Sequence, residues 1–285
     1  HASKPVDRVL TEARRLASLG VKELVLIAQD STYYGLDLFG KRTLADLLAQ
    51  LGRVDGIEWI RLMYAFPAGF PVDILEQLRD NPKLCRYLDM PVQHVADRVL
   101  SSMQRGIGSV ALRKLITRVR RTVPGIALRT TLIVGYPTEG EREFQELLAF
   151  VRETEFDRLG VFTYSQEDGT TAHPLGDPIP QELKEERRNL IMEAQQEISL
   201  KANERRVGQL LTVLVDRKEG HIAMGRTERD APEVDNEVTI QDATAVRVGE
   251  FQQVTITEAR EYDLIGIPAW KTTASPRRPE KETAS

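Results

Sequence analysis

Between Val6 and Ser165 the sequence alternates, cycle after cycle, between amphipathic stretches and short, nearly continuous apolar stretches. A chain with that rhythm is confined to a parallel sheet covered by helices, because strands buried on both faces cannot show a polar side. The first helix opens at Ser3-Lys4-Pro5, carries Val6, Val9, Leu10, Ala13 and Leu16 on one face and stops at Gly20. The strand VKELVLIAQD (21 to 30) follows, and the cycle repeats as helix 43 to 53, strand 57 to 65, helix 71 to 79, strand 86 to 93 and a helix from Asp97. Helix 110 to 122, with Ser109 as N-cap, leads to strand 126 to 137. Thr138-Glu139-Gly140-Glu141 has capping-box spacing ahead of a helix whose buried face is Phe144, Leu147, Leu148 and Val151, and strand 158 to 165 closes the set at five.

After a loop at 167 to 180 and a charged helix at 181 to 206, the period changes to two. QLLTVLVDR, HIAMGRT, NEVTI and EFQQVTITEA are separated by turn residues, the pattern of a small antiparallel barrel. The expected fold is therefore α/β: a partial parallel (β/α) barrel with its connecting helix over 1–206, an antiparallel β-barrel over 207–267, and a polar, Pro-rich, disordered tail over 268–285.

Charge narrows the partners. The 285 residues sum to −4, with no footprint for non-specific nucleic-acid binding. Residues 207–267 hold 6 basic and 12 acidic side chains, a local −6 that argues against RNA and for a basic protein as partner. Glu228, Asp230, Glu233, Asp235 and Glu237 form the expected docking patch; the plainer reading is a solvated loop. No apolar run of 18 residues and no export signal is present, so a cytoplasmic protein with no membrane partner is expected. With Cys85 as the one cysteine, read as a packed thiol, no disulfide is possible and no metal site is expected.

In parallel α/β barrels the working residues gather at the C-terminal ends of the strands. That rim reads as Gln29 and Asp30, Tyr64, Gln93 and His94, Gly135 and Tyr136, Tyr164 and Ser165. Asp30 equally suits a turn cap, His94 a helix start, and Tyr164 and Ser165 core hydrogen bonds. Arg129 lies inside an apolar strand, where a charge is costly unless paired or ligand-bound, and the ligand-facing reading is preferred. Gly135-Tyr136-Pro137-Thr138 leads into a helix N-terminus able to hold an anion.

LIAQDSTYYGLDLFG, RYLDMPVQHVADRVLSSMQRG, LRTTLIVGYPTEGEREF, FTYSQEDGTTA and RTERDAPEVDNEV, in this order, resemble the methylthiotransferase branch of the radical S-adenosylmethionine (SAM) enzymes, from about Ser3 to Leu264. The resemblance implies a radical-SAM barrel followed by a TRAM domain, with SAM and two 4Fe-4S clusters in the complete enzyme. It also implies hydrogen abstraction from a substrate carbon by a deoxyadenosyl radical, then transfer of a methylated sulfur. His1-Ala2-Ser3-Lys4-Pro5 matches the stretch just after the family's CxxxCxxC loop. The resemblance therefore implies a fragment without the first strand or any cluster cysteine, holding no cluster and inactive alone. YSQEDGT and DAPEVDNEV are closer to the members that methylthiolate an aspartate of small-subunit ribosomal protein twelve than to those that modify tRNA adenosine. By position, Gln29, Gln93, Arg129, Gly135 and Tyr164 become the SAM-side residues, with Asp30 and His94 beside them; no catalytic residue is assigned. A tRNA methylthiotransferase and a non-catalytic binding module are the competing readings.

Overall fold

A computed structural model describes residues 2–272. It resolves into two compact units. The first comprises 2–202 together with 228–235, and the second comprises 203–227 and 236–272. The units divide at 202/203, where the sequence reading puts a boundary at 206. Residues 228–235, read from sequence as part of the small barrel, belong to the first unit.

The first unit is built on five parallel strands, β1 (Glu23–Leu26), β2 (Trp59–Leu62), β3 (Tyr87–Asp89), β4 (Ala127–Val134) and β5 (Arg158–Thr163). They fall into a β1-β2 pair and a β3-β4-β5 sheet, with one bridge between Ile60 and Leu84. One face is covered by α1 (Val6–Ser18), α3 (Leu44–Leu51), α4 (Asp73–Asp80), α6 (Ser109–Thr122), α7 (Glu141–Thr154) and most of α8 (Gln181–Glu204), while the short α2 (Leu36–Phe39) and α5 (Asp97–Ser102) stand in the connections. The even-numbered residues of β1 to β4 (Leu24, Ile60, Leu62, Leu88, Leu128, Leu132, Val134) enter that helix-side core with Leu48, Leu112, Phe144 and Ile191. Period-two alternation sends the odd-numbered residues to the opposite, concave face.

Two caps differ from the sequence reading. Ser109 is not the N-cap of α6: its backbone N–H is already taken by Asp97 Oδ1 at 2.6 Å, and Gly108 precedes the first helical residue. α7 starts at Glu141, with the Gly140 N–H donating to Glu143 Oε2 at 2.9 Å, so the side chain that reaches back to the N-cap is Glu143 on Gly140, without a reciprocal bond, and not Glu141 on Thr138.

In the second unit β6 (Leu210–Glu219), β7 (Ile222–Arg226), β8 (Val238–Ile240), β9 (Phe251–Ala259) and β10 (Leu264–Pro268) close into a barrel in the order β10-β8-β7-β6-β9. Four of its pairings are antiparallel, and β8 with β10 is parallel, a departure from the all-antiparallel expectation. Val213, Val215, Ala223, Val238, Ile240, Val254 and Ile256 fill it. Gly266 is obligatory, since a Cβ there would collide with Val254 and the Thr255 carbonyl. The expected tail begins later than read: Pro268 ends β10 and a short helix, α9 (Ala269–Thr272), follows. The rest of the expected tail, 273–285, lies outside the described residues.

Candidate functional site

The concave face is divided along the strand direction. At the N-terminal end it carries charged residues that are satisfied by one another or by residues 228–235. Arg61, with no exposed surface, donates from Nε to Glu23 Oε1 and from Nη1 to the Glu228 carbonyl, each at 2.8 Å, and lies 4.7 Å above the Tyr87 ring. Arg158 pairs with Asp230, both buried. Arg129 donates from Nη1 to Asp89 Oδ1 at 2.9 Å and from Nε to Asp235 Oδ1 at 3.2 Å, while Tyr87 donates to Asp235 Oδ2 at 2.7 Å. Met63, Cys85, Tyr87, Ala127 and Ala231 pack into a small apolar cluster in the same place. Burial holds the Asp235 carboxyl above its ordinary value, the hydrogen bonds from Tyr87 and Ala231 only partly opposing it.

These contacts correct two expectations. Arg129, expected to face a ligand, is held between two carboxylates, one of them contributed from 106 residues later in the chain. The docking patch is not a surface either. Asp230 and Asp235 are buried in ion pairs, Glu228 Oε2 accepts the Arg86 N–H, and Glu237 pairs with Arg217 in the second unit; of the five, only Glu233 is exposed.

Toward the C-terminal end the same face opens. Val25 (36%), Ile27 (66%), Tyr64 (41%) and Phe162 (63%) keep much of their surface in solvent, and Thr131 and Ile133 are half-buried between them. Tyr64 and Gln93, at the exits of β2 and β3, both hold positive φ, +55° and +69°. For residues other than glycine this conformation is rare and costs about 1–3 kcal/mol, so it persists only where surrounding contacts impose it. Gln93 is pinned by its backbone, donating to the Thr131 carbonyl at 2.9 Å and accepting from Ile133 N–H at 2.8 Å. Its side-chain Oε1 is buried without a hydrogen-bond partner. An orphaned buried acceptor is expensive unless a ligand supplies the donor.

Of the other rim residues named from sequence, Gln29 is exposed. Asp30 accepts from Thr32 N–H and hydroxyl at 2.9 and 2.6 Å, which makes it the cap of the 3-10 turn 31–33. His94 has no exposed surface. Its Nδ1 accepts the Ala96 N–H at 3.0 Å, so the ring proton sits on Nε2 and donates to Glu139 Oε2 at 3.1 Å. Glu139 Oε1 in turn takes Gly135 N–H and Arg187 Nη1, and this buried network fixes the turn that follows β4. Gly135 (φ +74°) admits no other residue, because a Cβ would run into the methylenes of Lys184. Tyr164, 8% exposed, packs edge-to-face on Tyr136 at 5.3 Å, and its carbonyl accepts from Lys184 Nζ. Gln93 and Gly135 thus stay at the rim, while Asp30, His94 and Tyr164 support it.

Sequence reasoning missed Arg105, in the loop between α5 and α6. Its guanidinium lies 4.3 Å over the Phe66 ring and donates from Nη2 to the Pro91 carbonyl at 2.6 Å, which places it among the loops that leave β2 and β3. It makes no ion pair among the described residues, and its Nε is buried without a partner. Burial pushes its pKa down to about 10, Asp30 opposing. A half-buried cation whose Nε has no partner among the described residues is suited to a carboxylate ligand, and the buried Gln93 Oε1 to a hydrogen-bond donor.

Comparison with known proteins assigns the arrangement. The family model described as the radical SAM superfamily matches residues 1–151, more than half of the chain. The chain belongs to that superfamily. A TRAM domain model matches 207–268. Curated relatives named ribosomal protein uS12 methylthiotransferase RimO are 53% identical in Christiangramia forsetii, over 100% of this chain and 64% of that protein, and 52% identical in Flavobacterium johnsoniae, over 94% and 62%. The chain therefore spans somewhat less than two thirds of those relatives. Escherichia coli coproporphyrinogen III oxidase (HemN), a radical SAM enzyme, shares the fold at TM-score 0.51 and 20% identity, over 70% of this chain and 45% of that one. The described residues do not fit an iron–sulfur cluster, having no group of three metal-ligating side chains, and the one cysteine packs at the closed end of the concave face.

Proposed function

We propose that the chain is the SAM-binding half-barrel and TRAM domain of a cytoplasmic methylthiotransferase that modifies an aspartate of ribosomal protein uS12. The observation that carries the SAM assignment is the pair of orphaned polar groups at the rim, Gln93 Oε1 and Arg105 Nε. SAM presents a carboxylate for the guanidinium and ammonium or hydroxyl donors for the amide oxygen. Gly135 lets the Lys184 side chain pack against the turn that follows β4, and the His94–Glu139–Arg187 network keeps that backbone still. Val25, Ile27 and Phe162 are exposed apolar side chains for a bound ligand to cover. When bound, SAM supplies the adenosyl and methyl chemistry of the reaction, together with clusters held by the remainder of the relatives' length. The uS12 assignment is supported by identity above 50% to the two relatives. The test is mass spectrometry of uS12 and of tRNA from cells with and without the gene. Loss of a methylthio group from uS12 alone is expected; loss from tRNA alone would replace this reading with tRNA modification.

A further inference from the structure

From Arg98 to Thr138 the sequence holds eight basic side chains and no acidic one. Five of the eight lie on α6: Arg113, Lys114, Arg118, Arg120 and Arg121. The helix buries Leu112, Ile116 and Val119, which turns the opposite side outward, and there Lys114, Arg118 and Arg121 stand exposed. Spaced by four and then three residues, they form one row of about 10 Å along the helix.

None of the three has a carboxylate partner among the described residues. Glu153 of α7, which does reach α6, pairs with Arg113, and Arg120 donates from Nη2 to the Glu155 carbonyl, so its charge too is left without a counter-charge. Like charges three and four residues apart oppose helix formation, and the row therefore costs stability where it stands. The helix dipole favours Arg120 and Arg121 in the last turn, but not Lys114 and Arg118 further in. On other helices the signs are mixed: α1 sets Arg8, Arg14 and Arg15 beside Asp7 and Glu12, and α7 sets Arg142 and Arg152 among Glu141, Glu143, Glu146 and Glu153. Net charge, which argues against nucleic acid for the chain as a whole, averages the row away, since residues 1–206 hold 29 basic and 29 acidic side chains.

A row of free cations on an outward helix face matches a partner whose negative charges recur along a line, and the phosphates of a nucleic-acid strand do so. We propose that the outward face of α6 docks RNA, and that this RNA is the ribosomal RNA to which a ribosomal protein such as uS12 is bound, so that the enzyme meets its substrate within the small subunit. Contacts to phosphate hold and orient a partner without reading its sequence, which is the work three cations can do. Because α6 covers the helix side of the sheet, RNA held there leaves the concave rim open to the substrate aspartate. The proposal rests on the uS12 reading for the identity of the RNA, but not for the contact between α6 and RNA.

The experiment uses the whole chain and purified small-subunit ribosomal RNA, with affinity measured between about 0.1 and 1 M salt. Three phosphate contacts add about two to the slope of log affinity against log salt. Lys114→Ala/Arg118→Ala/Arg121→Ala is therefore expected to flatten the slope by about two and to weaken binding about a hundredfold at the low-salt end. Arg8→Ala/Arg14→Ala/Arg15→Ala, which removes the same charge from the exposed side of α1, should leave slope and affinity nearly unchanged. In urea denaturation the α6 variant should be no less stable than the parent, since alanine is the best helix former and the like-charge contacts are gone, whereas a merely structural role predicts that stability falls with binding. An unaltered slope in the α6 variant, equal flattening by the α1 variant, or no RNA binding by the parent chain overturns the proposal. In an enzyme of the relatives' full length, the α6 variant should methylthiolate uS12 in small subunits about tenfold more slowly, and free uS12 at the parent rate. An unchanged rate on subunits, or an equal loss on both substrates, would overturn the ribosomal assignment. A parent enzyme that modifies neither form of uS12 would refute the proposed function, and the RNA titration would still decide the role of α6.

Discussion

The two ends of the concave face are made by the same five strands, yet they solve the problem of polar groups in opposite ways. At the N-terminal end Arg61 is buried and Arg129 and Arg158 are largely so, and each has a partner: Glu23 and the Glu228 carbonyl, Asp89 with Asp235, and Asp230. At the C-terminal end, among the described residues, Arg105 has no carboxylate, Gln93 Oε1 has no donor, and two residues carry strained backbone. Desolvated charge is tolerated only when paired, so the first end is finished within the chain. The second end is left with unmet hydrogen-bonding capacity beside exposed apolar side chains, the signature of a surface awaiting a ligand.

That contrast can be broken at its strongest point. Asp230→Ala would leave Arg158 buried and short of its main partner, and a loss of about 3–5 kcal/mol in unfolding free energy is expected by urea denaturation. A loss below about 1 kcal/mol would mean that this end is no more demanding than the rim. Gly135→Ala tests the support of the rim. With φ at +74° and Lys184 in the way, about 2–3 kcal/mol of destabilisation is expected, and a cost near zero in the same assay would show that the turn relaxes freely. Arg105→Ala should show the reverse balance. Having one hydrogen bond and one ring contact to lose, it should cost about 1 kcal/mol of stability while weakening SAM binding, measured by calorimetry on an enzyme of full length, by about tenfold to a hundredfold. At the smallest end stands Glu233→Ala, on an exposed side chain, for which a change within about 0.5 kcal/mol is expected; a larger one would reveal a partner within the fold.

Much of the architecture was legible because burial on both faces leaves apolar runs such as IALRTTLIV that admit few alternatives. The rim was legible in outline, since strand exits can be counted. Roles were not. Asp30 and His94 look alike in sequence whether they cap a turn or meet a ligand, and only the Thr32 and Glu139 contacts decide. Arg129 was rightly marked as anomalous within its strand, but Asp235 is too distant in sequence for the pairing to be read. The acidic run from Glu228 to Glu237 looked like a solvated or docking surface because its arginine partners sit on three separate strands. Arg105 carried only a faint sign, the lack of any acidic residue within four positions on either side.

The difference between the two ends is tested most directly by hydrogen exchange across the whole chain, in an enzyme of the relatives' length, with and without SAM. Protection on adding SAM is expected at the strand exits and the Arg105 loop, in segments 28–31, 63–68, 91–95, 104–106 and 133–137, with no change at 228–235 or at Arg158. Protection confined to 228–235 and the starts of β3 to β5, or none at the Arg105 loop, would contradict the assignment of the C-terminal rim as the ligand face.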